Sequence, residues 1–115
     1  MVPASFSPGA TVLPEAGQWA ASLAVIAGPG LGQQVKLGPG VLSVGRSPGN
    51  GLSIPDTTVS SRHALFETDG EGCWVRDAGS VNGTFVNGQR IQRHFLRPGD
   101  VVSIGPARLR FDVSA

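Results

Sequence analysis

Residues that build catalytic or metal centres are scarce in this chain. The single cysteine, Cys73, excludes an internal disulfide and a cysteine-based zinc site. It opens a strand-like run, so it reads as a small core residue rather than a reactive thiol. The only histidines are His63 and His94, and no cluster of His, Cys, Asp and Glu has ligand spacing. Neither a metal nor another cofactor is therefore expected. His63 follows Ser60 and Ser61 too closely along the chain to meet either in the attack geometry of a nucleophile and its base. No orienting carboxylate can be assigned, and an enzyme is not expected. Long apolar runs are also missing: "LAVIAG" is far too short to cross a bilayer. The opening "MVPASFSPGATVLPEAGQW" has neither the positive nor the apolar region of a secretory signal. These absences point to the cytoplasm and away from a membrane. An excess of one charge is missing as well, since the net charge is +1. Arg90, Arg93, Arg97, Arg108 and Arg110 lie near the C-terminal end, but no run interleaves arginine and aromatic residues in the pattern of a stacking platform and acids are spread through the chain as well, so nucleic acid is not an expected partner.

What the chain does have is short β-type runs and turns. After an opening rich in Pro, Gly and Ala, residues 1–19, which reads as a flexible tail or linker, one domain is expected over residues 20–115. Its runs include "SLAVIAG", "QQVKL", "VLSVG", "LSI", "HALFET", "CWVRD", "TFVN", "VVSIG" and "ARLRFDV". The last alternates, with Leu109, Phe111 and Val113 on one face and Arg108, Arg110 and Asp112 on the other, as in a strand with one face in a core. Gly-rich pairs separate the runs, and Asn87-Gly88 between "TFV" and "QRI" is a strong hairpin signal. No window supports an amphipathic helix without a Gly or Pro. The pattern predicts an all-β fold, an antiparallel β-sandwich or barrel.

The residues suited to chemistry fall between these runs. "VGRSPGN" places Arg46 just after a strand, "VSSRHA" places Ser60, Ser61 and Arg62 in a second loop, and "GSVNGT" adds Asn82 in a third. A phosphate dianion needs several convergent donors, at least one of them charged, on a rigid frame. Arginine supplies the charge-assisted contact and serine hydroxyls complete the cradle. An asparagine amide holds an extended peptide backbone through both its donor and its acceptor. Each residue also has a plain reading: Ser60 as a turn cap, Asn82-Gly83 as a turn pair, Arg62 as a solvated side chain facing away from Ser61. Asp77 and Ser80 read as turn formers.

In the order Gly45-Arg46, Ser60 with His63 in "SSRHA", Asp77 with "GSVNGT", then Asn87-Gly88, the chain resembles the forkhead-associated (FHA) family of phosphothreonine-binding domains, from about Ala21 to Val113. The resemblance implies a sandwich of about eleven short strands with the site on the loops at one end. It implies that Arg46 and Ser60 bind the phosphate. Ser61 stands where the family often carries arginine or asparagine, with shorter reach and no charge. Asn82 would bind the ligand backbone just after the phosphothreonine, and Gly45, His63 and Gly83 would shape the loops. Arg62 and Val81 are accessory positions; Val81 replaces a polar residue of some members and cannot donate from its side chain. The implied partner is a protein carrying a threonine phosphorylated by a Ser/Thr kinase. A scaffolding sandwich that binds without phosphate is the alternative. Thr11, the only threonine of the tail, is a candidate for an intramolecular contact if phosphorylated.

Overall fold

Alternating apolar residues and positive-φ glycines organise residues 20–114, the part of the chain described by the computed structural model. The tail over residues 1–19, with Thr11, lies outside the described residues, as does Ala115. Eleven strands follow in order: β1 (Ala20–Ala27), β2 (Gln34–Leu37), β3 (Gly40–Gly45), β4 (Leu52–Ser53), β5 (Ala64–Asp69), β6 (Gly72–Asp77), β7 (Thr84–Val86), β8 (Gln89–Ile91), β9 (Arg93–Phe95), β10 (Val101–Ile104) and β11 (Ala107–Ser114). They form a six-stranded sheet, β2-β1-β11-β10-β7-β8, and a five-stranded sheet, β4-β3-β5-β6-β9. No helix occurs among the described residues. The expected β-sandwich of about eleven strands is the observed fold.

Side chains alternate across each strand, so each sheet lends one face to a common core. Leu23, Val25, Val102, Ile104, Leu109 and Phe111 come from the six-stranded sheet, and Val44, Phe66, Cys73 and Val75 from the other; all are buried. The expected alternation of β11 is seen, with Leu109 and Phe111 inside and Arg108 and Arg110 outside. Cys73 is a core residue, as read from the sequence. Burial pushes its thiol up to about 11, with the Thr68 hydroxyl acting the other way and the nearby Asp69 and Glu67 charges adding to the rise.

Two details differ from the sequence reading. The pairing is not wholly antiparallel: β4 runs parallel to β3, with Val44 opposite Leu52 and Gly45 opposite Ser53. Residues 46–51 carry the chain out and back over its own path, and the Ser43 hydroxyl accepts from Gly51 N at 3.2 Å to hold the return. Strand β9 had no signal in the sequence, because it is a three-residue edge strand with no apolar alternation. It pairs with β6 through Trp74 opposite Phe95, whose rings meet edge to face at 5.0 Å.

The registers set where the loops collect. Strand β3 ends, β5 begins, β6 ends and β7 begins at one end of the sandwich. Loops 46–51, 54–63 and 78–83 therefore share that end. Ala20 and Ser114, paired in β1 and β11, lie at the opposite end.

Candidate phosphopeptide-binding site

The site begins where β3 meets the second loop. Arg46 N donates to Ser60 O at 2.9 Å and Ser47 N to Ser61 O at 3.2 Å, so the two loops run side by side. This approach requires Gly45: a Cβ there would lie 2.3 Å from Ser61 O. The Arg46 side chain is exposed, and its Nη2 donates to Ser61 Oγ at 3.3 Å. Asn50, a residue the sequence reading passed over, stitches the first loop to the second. Its Nδ2 donates to Ser47 O at 2.8 Å and Ser61 O at 2.7 Å. The only signal was Asn50-Gly51, indistinguishable from an ordinary turn pair.

The second loop is anchored from below by Val59, which is buried in the core. Before it, the Asp56 carboxylate accepts from both the backbone N (2.9 Å) and the hydroxyl of Thr58, closing a turn. These two hydrogen bonds, hydroxyl first, hold the Asp56 carboxyl below the usual aspartate value against a small opposing effect of burial. His63, fully buried, is the joint of the whole end. Its Nδ1 accepts from Ser60 N at 3.1 Å, and its Nε2 donates to Gly83 O at 2.8 Å. With Nδ1 accepting from an amide, the ring proton is on Nε2. The backbone of His63 also pairs with Val44 O at 2.8 Å and Ala78 N at 2.9 Å.

The third loop is built around Asp77. Its carboxylate accepts from Gly79 N and Ser80 N, both at 3.0 Å, from the Ser80 hydroxyl, and from Thr84 Oγ1 at 2.7 Å. Burial works against its ionisation, but the Ser80 and Thr84 hydroxyls, followed by the Ser80 and Gly79 amides, together hold its carboxyl below the ordinary value. Ser80 Oγ in turn accepts from Gly83 N at 3.0 Å. Asp77 and Ser80 are thus turn formers, as expected. Gly83 takes φ +93°, a left-handed conformation that disfavours side chains.

Two bonds join the second and third loops at their tips. Ser60 Oγ accepts from Val81 N at 3.0 Å, and Asn82 Nδ2 donates to Thr58 O at 2.8 Å. The Ser60 hydroxyl hydrogen remains to be donated, and the Asn82 Oδ1 acceptor lies on an exposed residue. Val81 contributes its backbone here; its side chain is 83% exposed. Arg62 is exposed and has no hydrogen-bond or ion-pair partner among the described residues. Arg46, Ser60, Ser61 and Asn82 thus collect on three pinned loops, while the carboxylates of that end, Asp56 and Asp77, are occupied within their own turns. This surface offers a guanidinium and two hydroxyls to an anion, with an amide alongside. No group of three or more potential metal ligands occurs among the described residues, and no helix there is long and apolar enough to cross a membrane.

Comparison with known proteins agrees with this architecture. The family model of the FHA domain matches residues 42–105, which span all three loops. The glycogen accumulation regulator GarA of Mycolicibacterium smegmatis is 42% identical over 91 residues, covering 79% of this chain and 58% of GarA. The ABC transporter ATP-binding/permease protein Rv1747 of Mycobacterium tuberculosis is 41% identical over 97 residues, 84% of this chain and 11% of that protein. The chain thus spans little more than half of one of these relatives and about a tenth of the other. Among solved structures, an FHA domain from work on phosphothreonine-dependent FHA domain interactions superposes with a TM-score of 0.77 at 30% identity, covering 84% of this chain and 98% of that one. The chain belongs to the FHA domain family.

Proposed function

We propose that this chain is a non-catalytic recognition module that binds phosphothreonine in an extended segment of a partner protein, within Ser/Thr kinase-dependent signalling or assembly in the cytoplasm. The observation that carries the reading is the convergence of Arg46, Ser60 and Ser61 on two loops locked together by Arg46 N–Ser60 O, Ser47 N–Ser61 O and the Asn50 amide, with the His63 ring tying the serine loop to that of Asn82 and Gly83. In this reading the Arg46 guanidinium gives the charge-assisted contact to the phosphate, and the Ser60 and Ser61 hydroxyls donate to its remaining oxygens. Asn82 takes the ligand backbone just after the phosphothreonine, with its Oδ1 accepting from a peptide N–H. Gly45, His63 and Gly83 hold the loops and touch no ligand. Arg62 and Val81 flank the site. Residues 20–115 form the recognition domain, and residues 1–19 a linker whose Thr11, once phosphorylated, is a ligand the same site can take. The partner's identity is set by residues around its phosphothreonine.

Rigid presentation matters here because the ligand is small. Few contacts are made, so each must be in place before binding rather than ordered by it. The hydrogen bonds between the loops supply that preorganisation. Titration of a phosphothreonine peptide against its unphosphorylated counterpart tests the reading. Binding of the phosphorylated form alone supports it; equal binding would leave a phosphate-independent scaffold.

A further inference from the structure

The arginines that lie on strands divide into two sets. Arg76 and Arg93 of the five-stranded sheet share Glu67, with Arg76 at 3.0 Å and Arg93 at 3.9 Å, and Arg110 pairs with Asp112 at 2.9 Å. Arg90 and Arg108 face no carboxylate among the described residues, and both are exposed. They sit on one row of the outer face of the six-stranded sheet. Arg90 is opposite Phe85, Phe85 opposite Ser103, and Ser103 opposite Arg108. Phe85 points outward because its neighbours Thr84 and Val86 are buried in the core. Asp112 is the only acid on that face among the described strands, against Lys36, Arg90, Arg108 and Arg110.

This row starts at the candidate site. The Arg90 guanidinium lies on the backbone of Gly83: a Cβ built there would be 2.8 Å from Arg90 Nε and 3.0 Å from its Cζ. Gly83 follows Asn82 directly. A continuous path therefore leads from Arg46 and Ser61 through Ser60 and Val81 to Asn82, Gly83 and Arg90. Beyond Arg90, three strand spacings of about 4.8 Å reach Arg108, roughly 14 Å, which about four extended residues cover.

We propose that the row Arg90–Phe85–Ser103–Arg108 receives the part of the partner that follows the phosphothreonine, and that this part is acidic, with an apolar side chain against Phe85. The proposal rests on the reading of the loops as a phosphothreonine site. Arg90 is held by packing on Gly83 rather than by an acid, so an incoming carboxylate has no internal partner to displace. Its strand is fixed by the Asn87-Gly88 hairpin, where both residues have positive φ.

The test uses four peptides on the full chain at low ionic strength. One carries phosphothreonine in a neutral context. A second has acidic residues over about six positions after it, a third has the same acids before it, and the last is the second without phosphate. Acids placed after the phosphothreonine should tighten binding about threefold to tenfold, the scale of one or two exposed ion pairs, and acids placed before it should not. Arg90→Ala should remove most of that gain and Arg108→Ala part of it, with the neutral phosphopeptide bound as by the parent and the melting temperature unchanged. A parent that does not distinguish the phosphorylated peptides, or an Arg90→Ala that keeps the preference, overturns the proposal while leaving the phosphothreonine reading intact. If the acidic peptide binds equally with and without phosphate and loses affinity in Arg90→Ala, the basic row stands and the phosphothreonine reading falls. If no peptide binds, both fall.

Discussion

His63 donates from Nε2 to the carbonyl oxygen of Gly83 at 2.8 Å, twenty residues further along the chain and inside the core. The same ring accepts from Ser60 N at 3.1 Å, so one imidazole fixes the loop of Ser60 and Ser61 against the loop of Asn82. His63→Ala leaves the Ser60 amide and the Gly83 carbonyl without these partners, at about 1–3 kcal/mol for an unsatisfied buried group. A domain of this size loses about 4–8 °C in melting temperature per kcal/mol. The melt should therefore shift down by several degrees and phosphopeptide affinity should fall with it. An unchanged melt with lost binding would make His63 a ligand contact instead.

Gly45 is required by proximity, not by a positive φ. A methyl group placed there would meet Ser61 O at 2.3 Å and Ser61 C at 2.8 Å, both backbone atoms that give way only if the loop moves. Gly45→Ala should cost about 1–3 kcal/mol of stability, as overpacking does, and should weaken binding by displacing Ser61. Urea unfolding and peptide titration of the variant check both; a stable variant with normal affinity would show that the loop can shift freely.

Asp77 gives the third loop a pH dependence of known sign. Its folded carboxyl is held below the usual aspartate value because hydrogen bonds outweigh burial. A group depressed in the folded state contributes stability above its unfolded pKa and loses it as pH falls through the folded value. The urea midpoint of the parent should thus drop as pH is lowered past about 4, and Asp77→Asn should show a smaller part of that drop. Superimposable pH profiles would remove Asp77 from the acid response.

Cys73 has no exposed surface and its thiol is pushed up to about 11. The thiolate is the reactive form, and at neutral pH it is about one part in ten thousand at such a value. Iodoacetamide should leave the native protein unmodified and label it fully in denaturant, as read by mass spectrometry. Rapid native labelling would contradict a closed core at β6.

The sequence carried the elements that depend on local pattern. Alternation in β11 and the Asn87-Gly88 turn of the β7–β8 hairpin are properties of a few adjacent residues, and both are found where expected. The short motifs around Arg46, Ser60 and Asn82 stood out because polar residues flanked by strands and glycines have no core role. Relations between loops were hidden. Nothing near Asn50 in the chain indicates that its amide bridges Ser47 O and Ser61 O, and nothing near Asn82 indicates a bond to Thr58 O, because each needs two segments placed together by the sheets. The parallel β3–β4 pairing was hidden for the same reason, since "LSI" marks a strand but not its partner, and edge strand β9 because three residues are too few to display a period.

The most direct test of the central claim is calorimetric titration of a phosphothreonine peptide into the parent and into Arg46→Ala, with the unphosphorylated peptide as reference. Arg46 is exposed, and its side chain makes one bond, to Ser61 Oγ, among the described residues, so its removal should leave the melt unchanged. Loss of a charged hydrogen bond costs about 1.5–3 kcal/mol, or about tenfold to a hundredfold or more in Kd. The parent should bind the phosphorylated peptide alone, and the variant should lose at least tenfold in affinity, on the order of one charged hydrogen bond. Equal affinity of parent and Arg46→Ala for that peptide would contradict the central claim.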